Sequence, residues 1–170
     1  IIGNINIQQL QLMINLTHVK HLYIKPNLTF ENSSDLIDFF QQMPRLHELA
    51  ITEDLLRSLL QCSDLCENLR GRIRTLTIIY ERYKKFTIFY HQEMISRFQK
   101  TFENIEMFTG GYLSSIEHLR YLMENFSKLS MIELHVDLTP DEKYPYEQLE
   151  SDLLKCKTEF DISFTYSGNL

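Results

Sequence analysis

Three cysteines and six histidines are the residues of this 170-residue chain best equipped for chemistry. Cys62 and Cys66 stand four apart, a spacing that puts two thiols on one helix face. A second Cys or His pair would make them half of a zinc site, but Cys156 stands alone far downstream. An odd number of cysteines without framework spacing points to reduced, buried thiols in an intracellular protein. The histidines stand at 18, 21, 47, 91, 118 and 135. A nucleophilic Cys–His pair needs His91 or His118 to approach Cys62 in space. His21 and His135 fall on predicted strands too far apart to share a metal or a proton. Gly110-Gly111 is followed by Tyr-Leu instead of Lys-Ser/Thr, and neither G-x-S-x-G nor H-E-x-x-H occurs. The expectation is therefore a protein that is not an enzyme, with no cofactor and no metal.

Charge narrows the partners. A net charge of −6 lacks the basic excess that a nucleic-acid or anionic-membrane surface requires. Arg70, Arg72, Arg74, Arg82, Lys84 and Lys85 make a local basic run, read here as the solvated rim of predicted strands. Within it, residues 80–90 (YERYKKFTIFY) interleave five aromatics with two lysines. That composition suits base stacking, a protein-binding loop, or a core-filling hairpin or extended strand, and the core-filling form is expected. No run reaches the ~18 apolar residues of a membrane span, and the first residues lack a basic, signal-like start. Four sequons begin at Asn15, Asn27, Asn32 and Asn125 and pull toward an extracellular setting. The expected location is nonetheless intracellular, cytoplasmic or nuclear.

The elements that must position these residues emerge from a repeat. Residues 19–27 read VKHLYIKPN, 46–54 LHELAITED and 73–81 IRTLTIIYE. The triplet Val19, Leu22, Ile24 returns as Leu46, Leu49, Ile51 and as Ile73, Leu76, Ile78, each step 27 residues long. After an insertion of two, Phe102, Ile105 and Met107 continue it, then Leu129, Ile132 and Leu134, and last Phe160, Ile162 and Phe164. The second and third positions alternate as in a strand with one buried face. Between strands, helices are predicted after Ser34-Asp35, after Thr52, over 92–100, after Ser114-Ser115 and over 146–154. No unit buries its own apolar face, so neighbours must stack. Residues 5–15 read as the helix of a repeat whose strand precedes the chain, as in a fragment truncated at its N-terminus.

This pattern resembles the leucine-rich-repeat family over roughly residues 16–165. The resemblance implies an α/β solenoid, a horseshoe with parallel strands on its concave face and helices on its convex face. Residues 1–170 then form a single repeat domain of five to six units. The family's turn asparagine matches Asn27 alone; Asp54, Glu81, Gly110 and Asp137 occupy the later positions. The irregular units are most similar to the divergent repeats of F-box substrate receptors. That likeness implies a non-enzymatic module for protein–protein interaction, in the substrate-recognition part of a ubiquitin ligase. The alternative is an extracellular, glycosylated recognition domain of the same repeat class.

On such a face the residues between buried apolars point outward. They are His21, Tyr23, Lys25; Glu48, Ala50, Thr52; Thr75, Thr77, Ile79; Asn104, Glu106, Phe108; Met131, Glu133, His135; and Asp161, Ser163, Thr165. Tyr23, Phe108 and Met131 are the expected anchors for a protein partner. Glu48, Glu106 and Glu133 lend the face an acidic character, suited to a basic or mixed-charge partner. Ile79 and Phe108 can alternatively lie at strand ends under a following loop. Cys62, on a convex helix, is remote from this face.

Overall fold

The computed structural model describes residues 15–25, 33–79, 92–112, 116–136 and 161–166. Six strands, β1 (His21–Tyr23), β2 (Glu48–Thr52), β3 (Thr75–Ile79), β4 (Met107–Tyr112), β5 (Met131–Val136) and β6 (Asp161–Tyr166), make one sheet. It is parallel throughout and ordered as the chain runs. Between strands lie α1 (Ser33–Gln41), α2 (Glu53–Gln61), α3 (Ser63–Leu69), α4 (Gln92–Thr101) and α5 (Ile116–Asn125). The helix expected over 146–154, the aromatic segment 80–90 and residues 5–14 fall outside the described residues.

Strand burial follows the two-residue period. In β2 and β3 Leu49, Ile51, Leu76 and Ile78 are buried, while the residues between them are half-buried. Those four share a core with Phe40 of α1, Leu56, Leu59 and Leu60 of α2, Leu65 of α3 and Phe98 of α4. One face of the sheet thus meets the helix layer, with each side chain removed from water contributing ~1.5–3 kcal/mol. Local chemistry starts α2 at once after β2: Thr52 Oγ1 accepts from the Leu55 N–H at 3.3 Å. Glu53 and Asp54 place negative charge on that helix N-terminus. Asp54 therefore belongs to a helical first turn, and not to the asparagine turn that the family resemblance implied.

A backbone device recurs at the entries of β2, β3, β4 and β5. The Lys20 carbonyl accepts from the N–H groups of His47 and Glu48, both at 3.0 Å. The His47 carbonyl does the same for Arg74 and Thr75, Arg74 for Glu106 and Met107, and Glu106 for Ser130 and Met131. Just upstream, Leu16, Met43, Phe102 and Phe126 carbonyls each accept from the N–H three residues on. All four of those side chains are buried.

These contacts correct the fourth repeat. Thr75 pairs with Met107 and Leu76 with Phe108, so the step from β3 to β4 is 32 residues, and Phe108 to Ile132 is 24. The expected triplet Phe102, Ile105, Met107 is displaced by three; the equivalent of Ile73, Leu76, Ile78 is Ile105, Phe108, Gly110. The cause is the upstream buried residue, because Phe102-x-x-Ile105-x-Met107 satisfies the apolar pattern one slot too early. Gly110, at φ 103° with irregular pairing from Thr109 to Tyr112, leaves the true third slot without a side chain.

Further differences concern the helix side. Helix α3 was not anticipated, and Cys62 lies between α2 and α3 instead of sharing a helix face with Cys66. Gly71 turns the chain from α3 toward β3 at φ 65°, its N–H donating to the Thr101 carbonyl at 3.2 Å. Arg72, expected at a solvated rim, is half-buried. It donates to the Asn68 carbonyl at 2.9 Å and to the Met43 carbonyl, tying α3 to the end of α1. Burial lowers its pKa from the ordinary arginine value. Arg97 similarly donates to the Leu60 and Gln61 carbonyls at 2.9 and 3.0 Å, a cation on the C-terminus of α2.

Candidate functional site

The sheet face opposite the helices is built from alternate strand residues. His21, Tyr23 and Met131 are exposed; Glu48, Thr75, Thr77, Ile79, Met107, Thr109 and Glu133 are half-buried. Among the described residues no helix covers them. Parallel sheets are ordinarily covered on both faces, so this face is the unusual surface among the described residues. Among the described residues, Tyr23, 60% exposed, and Met131, 37%, are its large exposed apolar side chains. Four strand spacings of ~4.8 Å place them ~19 Å apart, near opposite edges.

Not every expected residue reaches this face. Phe108 is 1% exposed and packs edge-on to Phe98, ring centroids 6.3 Å apart. Phe98 in turn meets Phe102 at 5.0 Å and Phe126 at 5.6 Å. Phe108 is therefore an aromatic core residue, and Met107 and Thr109 take the open positions of β4. Asn104 lies before β4 as well, donating to the Gly71 carbonyl at 2.8 Å and accepting from Lys128 Nζ at 2.6 Å. Glu106 precedes β4 at the strand entry, exposed, with Arg74 3.7 Å away. Lys25 follows β1 and is exposed. The backbone of His135 lies in β5 opposite Tyr112 and Thr165.

Two of the three carboxylates expected to make the face acidic have close polar neighbours. Glu48 accepts from His21 Nδ1 and has His47 Nε2 at 3.8 Å; Glu106 faces Arg74. Glu48 thus stands between two imidazoles, and Glu106 pairs with a guanidinium at the rim. His47, which the sequence reading did not single out, sits at the entry to β2. The 27-residue step contains a signal for it, since it sets Glu48 and its neighbour beside His21.

Chemistry on the helix side is muted. Cys66 Sγ donates to the Leu59 and Leu60 carbonyls at 3.6 and 3.7 Å. Burial pushes its thiol above the ordinary 9.0, the opposite of an activated nucleophile. Of the sequon asparagines, Asn125 is half-buried in α5 and donates to the Tyr121 carbonyl at 2.9 Å. Asn15 is exposed, its Oδ1 accepting from the Thr17 N–H and hydroxyl at 3.1 and 2.6 Å; Asn27 and Asn32 lie outside the described residues. Among the described residues no helix is long and apolar enough to cross a membrane. No family model matches the chain, and no curated protein and no solved structure matches it.

Proposed function

We propose that the chain is a leucine-rich-repeat solenoid that binds another protein on its open sheet face, without catalysis. The observation that carries this is the pairing of an open parallel face with two exposed apolar anchors, Tyr23 and Met131. Helices on one side, strands in chain order and a recurring strand-entry hydrogen bond are what a stacked-repeat architecture requires. Exposed apolar side chains within a polar, mixed-charge field are the composition of a protein interface. His21, Lys25, Glu48, Met107 and Glu133 supply the polar and adaptable surround. In its most specific form, resting on repeat style, the module is the substrate-recognition part of an F-box-type ubiquitin-ligase receptor.

Affinity purification with the wild type beside Tyr23→Ala/Met131→Ala tests the binding face. Both side chains are solvent-facing, so the double variant should keep the wild-type melting profile. Loss of a partner that the wild type retains is the expected result. Equal partner recovery by both proteins contradicts the assignment.

A further inference from the structure

His21, His47 and Glu48 converge from two adjacent strands at one end of the open face. One donor atom from each lies within 4.8 Å of the others. His21 Nδ1 faces Glu48 Oε2 directly, His47 Nε2 stands 3.8 Å from Glu48 Oε1, and the imidazole centroids are 5.2 Å apart. Two imidazoles and one carboxylate are a donor set for borderline divalent transition ions, zinc foremost. Hard cations such as magnesium and calcium prefer all-oxygen ligation.

The orientation of His47 is the decisive feature. Its Nδ1 lies 3.0 Å from the Arg45 carbonyl. A carbonyl only accepts, so Nδ1 carries the proton and Nε2, on the Glu48 side, presents its lone pair in the neutral ring. This is the outer hydrogen bond by which metal-binding histidines are ordinarily held. Arg45, two residues before His47, points its guanidinium at His18 Nδ1, 3.3 Å away. The backbone also fixes the rung: the Lys20 carbonyl accepts from both His47 and Glu48 N–H groups, and His21 is paired with Glu48 in the sheet.

We propose that His21, His47 and Glu48 form a three-ligand site for a divalent transition ion, represented by Zn²⁺, at the rim of the open face. Ligand atoms ~2.0–2.1 Å from zinc stand ~3.3 Å apart in a tetrahedron. The exposed His21 side chain rotates to close the remaining distance. As it binds, His21 takes the tautomer that carries its proton on Nε2, so that Nδ1 turns its lone pair to the ion. A fourth position stays open to water or to a side chain of a partner. The site stands on its own geometry and holds whether or not the open face binds protein.

Zn²⁺ is titrated against a competing chromophoric chelator, using the full 170-residue chain. The wild type should bind one equivalent saturably. His21→Ala and His47→Ala should each weaken binding at least ~10-fold, no less than the loss of an outer hydrogen bond costs a metal site. His18→Ala should leave the affinity unchanged. Circular dichroism and melting of the variants should match the wild type, because the replaced side chains are exposed or half-buried at the rim. Co²⁺ should give a spectrum without thiolate charge-transfer bands. Absence of saturable Zn²⁺ binding overturns the proposal. So does unchanged affinity in both histidine variants, or loss of the site on Cys62→Ser in place of His47→Ala.

Discussion

Cys66 and Tyr121 show how burial sets the character of single residues here. Both lie on the helix side, and both acids are raised by loss of solvent, the thiol above 9.0 and the phenol above 10.0. A raised acid holds its proton more tightly folded than unfolded. Its stabilising contribution is complete below the unfolded pKa and is lost as pH rises through the folded one. Urea midpoints should therefore be level in pH up to about 8.5 and decline above 9 from these groups, with Cys66→Ala removing the earlier part of the decline. A midpoint that rises with pH above 9 would contradict the burial of both. At this scale the sequence was legible for Cys62 and Cys66 as unpaired with each other, but not for Arg72. An arginine in a basic run looks solvated unless one knows that the Met43 carbonyl, twenty-nine residues earlier, waits for its guanidinium.

The element scale is where periodicity succeeded and where it misled. The first three units have side chains in every buried slot and a constant step, so Leu22, Leu49 and Leu76 align by inspection. The fourth unit has a long insertion and a glycine in its third slot, and its extra buried aromatic, Phe102, imitates the start of the motif. Only the pairing of Leu76 with Phe108 resolves it. The competing alignments make opposite predictions for neighbouring residues. Phe108→Ala should cost ~3–5 kcal/mol, the usual loss for a buried phenylalanine. Met107→Ala, on the half-buried open face, should cost ~1 kcal/mol, nearer the centre of the mutational distribution. Denaturant unfolding of the two variants measures both; the reverse order would restore the displaced alignment. Helix α3 escaped notice because Ser63-Asp64 follows Cys62 directly, so two helices read as one apolar stretch.

For the whole molecule, the open face is modest in size. Six strands ~4.8 Å apart, of about five residues on average at ~3.4 Å each, give on the order of 400 Å². A standard interface buries ~800 Å² per partner, so a protein ligand must also engage the rims, where His47, Lys25 and the Arg74–Glu106 pair lie. Strand alternation gives the face in β2 and β3; the neighbours of its carboxylates were not legible, because His21 and Glu48 come from different strands. The most direct measurement is thiol labelling at Thr77→Cys and Glu133→Cys, each in a chain whose Cys62, Cys66 and Cys156 are alanine. Ready labelling in the native state, slower than in urea but not blocked, is the predicted result, since both positions are half-buried on a face that no described element covers. Strong protection of both in the isolated native chain would mean that another part of the chain covers the sheet, and the binding surface proposed here would not exist.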